Sequence, residues 1–103
     1  MIFVYITNPN RKAALKIANE LLKQRLIGCA NIFPIESLYW WKEKIVKDKE
    51  YVLIAKTLEK NYKKVKDIVE KIHPYSVQCI LKIKIDKVNE KYLKWLKEGV
   101  NCL

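Results

Sequence analysis

The stretch CANIFPIESLYWW, from Cys29 to Trp41, decides how the rest of the chain is read. It carries Phe33, Tyr39, Trp40 and Trp41, together with the β-branched Ile32 and Ile35. Aromatic and β-branched side chains fit a pleated, half-buried surface, so the stretch reads as one long strand. Pro34 has no backbone N–H to give to a ladder and is expected to mark a bulge or kink within it. Successive side chains of a strand point to opposite faces, so Tyr39, Trp40 and Trp41 put large rings on both. One face can be covered by the chain's own helices. The other needs a second cover, and in so short a protein a neighbouring subunit is the expected one.

Upstream, Ile2 to Thr7 is apolar or β-branched and reads as a central strand. Asn8-Pro9-Asn10 is a turn, with Asn10 placed to cap the next helix. Between Arg11 and Arg25, the residues Ala14, Ile17, Ala18, Leu21 and Leu22 recur at helical spacing and form one apolar stripe. Gly28 suits the exit from this helix. Downstream, Lys42 to Lys49 is polar and reads as the end of a hairpin, without an Asn-Gly or Asp-Gly turn. Tyr51 to Thr57 is a third strand whose only charge is Lys56. Tyr62, Val65, Ile68, Val69 and Ile72 then mark a second helix, with Asn61 as its cap and His73-Pro74 as its end. From Val77 to Ile85 the pattern alternates. Val77, Cys79, Leu81, Ile83 and Ile85 share the face expected to be buried, and Gln78, Ile80, Lys82 and Lys84 the wetter one. Asn89 is placed to cap a last helix carrying Tyr92, Leu93, Leu96 and Val100. The order is β-α-β-β-α-β-α. Its first six elements are the ferredoxin-like βαββαβ order, an α+β fold with an antiparallel sheet and helices on one face. The extra C-terminal helix and a partner subunit remain to cover the other face.

The 103 residues make one domain, 1–103, with no linker or repeat. The net charge of +10 comes from 21 basic residues, of which only Arg11 and Arg25 are Arg. Arg is preferred for bidentate phosphate and base-edge contacts, and the Lys residues are spread from Lys12 to Lys97 beside Glu and Asp. The charge therefore reads as a solvated surface, with no nucleic-acid partner expected. Met1 to Ile6 is too short for a signal sequence, and no apolar run approaches the roughly 20 residues that span a bilayer. A soluble, cytoplasmic protein with no membrane contact is expected. Cys29, Cys79 and Cys102 form no CxxC pair, which argues for reduced thiols. Cys102, close to the terminus, reads as incidental.

His73 is the only His. By chemistry alone it is either a hydrogen-bonded structural residue or a metal ligand. A thiolate at Cys79 would favour Cu(I) or Zn(II), yet on a buried strand face a Cys is usually a small hydrophobe, and Cys29 has the same ambiguity. Lys56 is either a strand end with a buried stem or a cleft cation for an anionic ligand or an intersubunit carboxylate. Tyr39, Trp40, Trp41 and Tyr75 read as cleft or interface packing. No Gly-rich phosphate loop, GxSxG or nucleophile motif is present, so no enzymatic activity is expected.

Asn31 to Pro34 (NIFP), Ser37 to Trp41 (SLYWW), Ile54 to Thr57 (IAKT), His73 to Tyr75 (HPY) and Tyr92 to Trp95 (YLKW) together resemble the CutA divalent-cation tolerance family. The resemblance covers essentially the whole chain. It implies a ferredoxin-like subunit that forms a tight homotrimer through its sheet edges, with a PII-like topology and clefts between subunits. It also implies a link to tolerance of divalent metals, copper especially, with the His of HPY, here His73, as a copper ligand. The chain departs from the family in three places. Pro34-Ile-Glu-Ser37 is a residue shorter than the family's Pro-Gly-x-x-Ser, Lys42-Glu-Lys-Ile45 replaces Glu-Gly-Lys-Ile, and Cys79 stands where the family has Glu. The resulting expectation is a non-enzymatic homotrimer that needs no cofactor. It would bind copper or another divalent metal ion at an intersubunit cleft, with His73, Cys79 and Cys29 as candidate ligands. The alternative is a PII-like regulatory module that takes a small anionic ligand at Lys56 and acts through a partner protein.

Overall fold

Every second residue of the first strand, β1 (Ile2–Asn8), is fully buried, because helices pack on that side. The computed structural model describes residues 1–100, so Cys102 lies outside the described residues. After β1 come α1 (Arg11–Lys23), β2 (Cys29–Trp41), β3 (Lys44–Thr57), α2 (Tyr62–Ile72), β4 (Ile80–Lys84) and α3 (Glu90–Gly99). The four strands form one sheet in the order β2-β3-β1-β4, and every neighbouring pair is antiparallel. The α+β, ferredoxin-like arrangement expected from the element order is the one observed, with β1 inside the sheet.

The core lies between the sheet and the first two helices. Ala14, Ile17, Ala18 and Leu21 of α1 and Val65 and Val69 of α2 pack against Ile2, Val4, Ile6, Leu53 and Ala55. Asn10 caps α1 as expected, its Oδ1 accepting the Ala13 N–H at 2.8 Å. Asn61 does not cap α2. Its amide is buried and donates to the Leu26 carbonyl and to Thr57 Oγ1, both at 3.3 Å, because the α1–β2 loop and the end of β3 present acceptors there. Asn89 makes no side-chain cap either. Among the described residues no helix is long and apolar enough to cross a membrane.

Helix α3 lies on the opposite face of the sheet. There Lys56 Nζ stands 5.7 Å from the Phe3 ring centre and 5.5 Å from that of Tyr92. Leu96 is completely buried. It fills the space that a side chain at position 28 would need, since a Cβ on Gly28 would sit 2.5 Å from Leu96 Cδ1. The role expected for Gly28 at the helix exit falls instead to Arg25, whose φ is 54°. Gly28 is thus a point of close approach, where a larger residue would displace the Leu96 side chain.

Strands β2 and β3 pair in one unbroken register from Cys29 opposite Lys56 to Trp41 opposite Lys44. Pro34 therefore marks no bulge. β2 is an edge strand with a single neighbour, and such a strand accepts a residue with no backbone donor. Of the stretch Lys42 to Lys49, expected as the hairpin end before a strand from Tyr51, Lys44 to Lys49 belong to β3. Only Lys42 and Glu43 make the turn, and both have positive φ, 49° and 64°. These are the angles of a type I′ hairpin turn, carried here by two side chains that disfavour them. At about 3.3 Å per residue, the hairpin is long enough to span the 45 Å long dimension of the molecule.

The last strand is shorter than its alternation suggests, and its phase is reversed. Ile80, opposite Ile6, packs on the core, while Leu81 and Ile83 are 50% and 43% exposed. They lie opposite Tyr5 and Phe3 on the face that α3 covers only in part. Val77, Gln78 and Cys79 precede the strand.

Two stability measurements follow from this packing. Gly28→Ala should lower the unfolding free energy in chemical denaturation by about 1–3 kcal/mol, the usual effect of overpacking. Glu43→Gly should raise it by about 1 kcal/mol, because the left-handed conformation costs glycine nothing sterically.

Candidate functional site

Pro74 forces His73 out of the helical region, and His73 ends α2 in an extended conformation with φ −73° and ψ 136°. The side chain is only 7% exposed. Its Nδ1 accepts the Tyr75 backbone N–H at 3.1 Å. The proton therefore resides on Nε2, which donates to the Thr7 carbonyl at 2.7 Å. Both ring nitrogens are thus used within the chain. The imidazole ties the segment after α2 to the end of β1, and the His73 and Tyr75 rings lie 4.9 Å apart.

Held in this way, Tyr75 donates its hydroxyl to Glu50 Oε2 at 2.8 Å. Glu50 is 8% exposed, a carboxylate buried on the face of β3 away from α1 and α2. Two residues earlier on the same strand face, Asp48 accepts the Tyr39 hydroxyl. Gln78 Nε2 donates to the Tyr75 carbonyl at 2.7 Å and steadies the same segment. These groups surround a cleft of about 510 Å³ whose lining includes Thr7, Trp41, Val77 and Cys79 as well as the two Tyr–carboxylate pairs.

Electrostatics in the cleft favour its neutral acids. Burial, then the bond to Glu50, pushes the Tyr75 hydroxyl well above the usual phenol range. Tyr39 is raised chiefly by its bond to Asp48. Burial raises the Cys79 thiol; a hydrogen bond with Thr7 opposes this, and the Glu50 charge adds to it. Cys79 is therefore a thiol at neutral pH, and a soft cation would have to displace its proton.

Of the residues singled out from the sequence, Tyr39, Trp41, Tyr75 and Cys79 line this cleft, and His73 stands behind it as its anchor. Trp40 points to the other face of the hairpin and is 71% exposed. Cys29 and Lys56 are paired across β2 and β3 at the far end of the sheet, opposite Phe3 rather than Thr7. Four residues of strand separate those positions, or about 13 Å. One subunit therefore does not bring Cys29 to His73 and Cys79. Among the described residues no three His, Cys, Asp or Glu side chains stand close enough to hold a metal ion. Asp48 and Glu50 were not anticipated. Their signal is the i, i+2 spacing of two carboxylates just before the apolar run Tyr51–Ala55, which puts both on one strand face.

The chain matches the family model described as CutA1 divalent ion tolerance protein over residues 2–99. The divalent-cation tolerance protein CutA of Thermotoga maritima is 46% identical over 100 residues, 97% of this chain and 99% of the relative. Its Pyrococcus horikoshii counterpart is 47% identical over 98 residues, 95% of this chain and 96% of the relative. The crystal structure of CutA1 from Pyrococcus horikoshii superposes with a TM-score of 0.95 at 44% identity, covering 98% of this chain and 99% of the other. The structure of the periplasmic divalent cation tolerance protein CutA from Archaeoglobus fulgidus also gives 0.95, at 39% identity, covering 98% of this chain and all of the other. With fold and sequence agreeing over nearly the whole length, the chain belongs to the CutA1 divalent ion tolerance family.

Proposed function

We propose that this protein acts in divalent-cation tolerance as a homotrimer, holding copper or another divalent ion in a cleft that a neighbouring subunit completes. The observation that carries this reading is the lining of one cleft by Asp48, Glu50 and Cys79, in a chain whose relatives are named for divalent-cation tolerance. Carboxylates suit hard and borderline ions, and a thiolate draws the preference toward copper and zinc. Three donors spread along one wall do not make a closed site, so further ligands would come from a second subunit or from water. Exposed Leu38, Trp40 and Ile45 on the helix side of the hairpin, and Leu81 and Ile83 on the other face at β4, are two separate apolar patches that neighbouring subunits would cover. His73 serves this site by position and does not coordinate the ion. The free thiols Cys29 and Cys79 favour a reducing compartment such as the cytoplasm, although the Archaeoglobus fulgidus relative is described as periplasmic and a rice relative as chloroplastic. No observation favours an anionic ligand at Lys56, whose ammonium lies between the Phe3 and Tyr92 rings.

Calorimetric titration of copper and zinc into the reduced protein tests the reading. Affinity should fall at least about tenfold in Cys79→Ala and in Glu50→Gln, which corresponds to about 1.4 kcal/mol. Binding that neither substitution changes would sink the site. His73→Ala should leave metal affinity within about threefold yet lower the unfolding free energy by about 2–4 kcal/mol, because the Thr7 carbonyl and the Tyr75 amide lose their buried partner. Light scattering should give three times the subunit mass.

A further inference from the structure

The cleft reverses the charge of the molecule around it. The chain carries 21 basic residues, yet no Lys or Arg lines this cavity, and its two charged residues are Asp48 and Glu50. Three of the other lining residues are aromatic, with Tyr39, Trp41 and Tyr75 facing the same space as the carboxylates. Each carboxylate accepts a single Tyr hydroxyl, at one oxygen. An ionised carboxylate has about four acceptor positions, so most of that capacity stays open. With two carboxylates and no cation among the lining residues, the charge that faces the cleft is negative.

Ring faces attract a cation within about 6 Å of the centroid, most strongly when the site is partly desolvated. A bare divalent ion requires several donors at roughly 2.0–2.6 Å. The described residues do not offer three such side chains together. A larger, softer-edged cation has no such need. It can lie against ring faces and reach two carboxylates that are two residues, about 6.6 Å, apart along a strand. The cavity of about 510 Å³ also falls within the range of small-ligand sites, about 300–1,000 Å³.

We propose that this cleft binds an alkylammonium group, with Glu50 and Asp48 as its charge partners and Tyr39, Trp41 and Tyr75 as its walls. The proposal rests on the reading of the cleft as a cation site and adds a second class of cation to it. The ammonium comes either from a small free amine or from a Lys side chain of a second copy of this chain. Metal and amine share Glu50, so each weakens the binding of the other. They differ at Cys79, which only the metal uses, and at Trp41, which only the amine uses.

The test is an NMR titration of the whole, reduced protein with n-butylammonium chloride at constant ionic strength, with n-butanol as the neutral control. The expected result is saturable shifts at Trp41 and Tyr75 with the amine and none with the alcohol. Glu50→Gln and Asp48→Asn should each weaken binding about tenfold or more; the first keeps an acceptor for Tyr75, and the second lies on the exposed hairpin. Trp41→Leu should weaken the amine and spare copper and zinc, while Cys79→Ala should do the reverse. If a Lys of a second copy already fills the cleft, free amine produces no saturable shift. In that case Glu50→Gln and Asp48→Asn lower the mass measured by light scattering, which supports the same chemistry from the other source. Absence of both effects overturns the proposal, as do equal shifts with butanol. Amine binding can fail while metal binding survives, so failure of this proposal is distinguishable from failure of the metal reading.

Discussion

A buried imidazole with both nitrogens engaged is the contact on which the cleft depends. The proline after His73 ends α2, and the ring then reaches back to the Thr7 carbonyl while accepting from the Tyr75 amide. Two short bonds to backbone fix where the following residues can go. Tyr75 consequently meets Glu50, and the segment bearing Cys79 passes beside Thr7. Breaking either bond would leave a peptide group buried without a partner, so the geometry is held by the cost of the alternative as much as by the bonds themselves.

The other face of the sheet is organised by a different constraint. A helix that buries Leu96 completely comes within side-chain distance of the backbone just before β2, and a Cβ at Gly28 would push the Leu96 side chain aside. The cationic end of Lys56, flanked by Phe3 and Tyr92, is part of the same contact. One helix therefore covers the part of the face near Cys29 and Lys56. Tyr5, Leu81 and Ile83 remain only partly covered, and the need for a second cover, carried on this face by Tyr39 and Trp41, extends to β4.

Elements with one apolar face were legible in the sequence, and elements with two were not. The stripe of Ala14, Ile17, Ala18 and Leu21 can only point inward, so α1 and its Asn10 cap follow from spacing alone. In β4 both faces carry isoleucine, and alternation supplies a period without a phase; the pairing of Ile80 with Ile6 sets the phase, and that pairing is a tertiary fact. Asn61 has the composition of a cap, but Leu26 and Thr57 arrive from distant sequence and claim its amide. The site was partly legible for the same reason. Its aromatic walls stand out in any reading, whereas Asp48 and Glu50 sit among lysines and look like solvated charge until the unbroken β3 register puts them on one face. Cys29 appeared equivalent to Cys79, and only the strand order separates them along the sheet.

Pro34 has a consequence beyond its own strand. β2 is an open edge, and an open edge offers its outward N–H and C=O groups to any passing strand, including one from an unfolded or newly made copy. A proline seated in an edge strand without disturbing its inner register leaves a gap in the outer row of donors. A visiting strand can follow that row from either end but cannot cross the gap in register. The long hairpin is thereby divided into two short docking segments, too short to template an open-ended stack. Association at this edge is left to matched surfaces of defined extent, and the chain gains protection against fibrous aggregation from one residue that has no backbone N–H to offer.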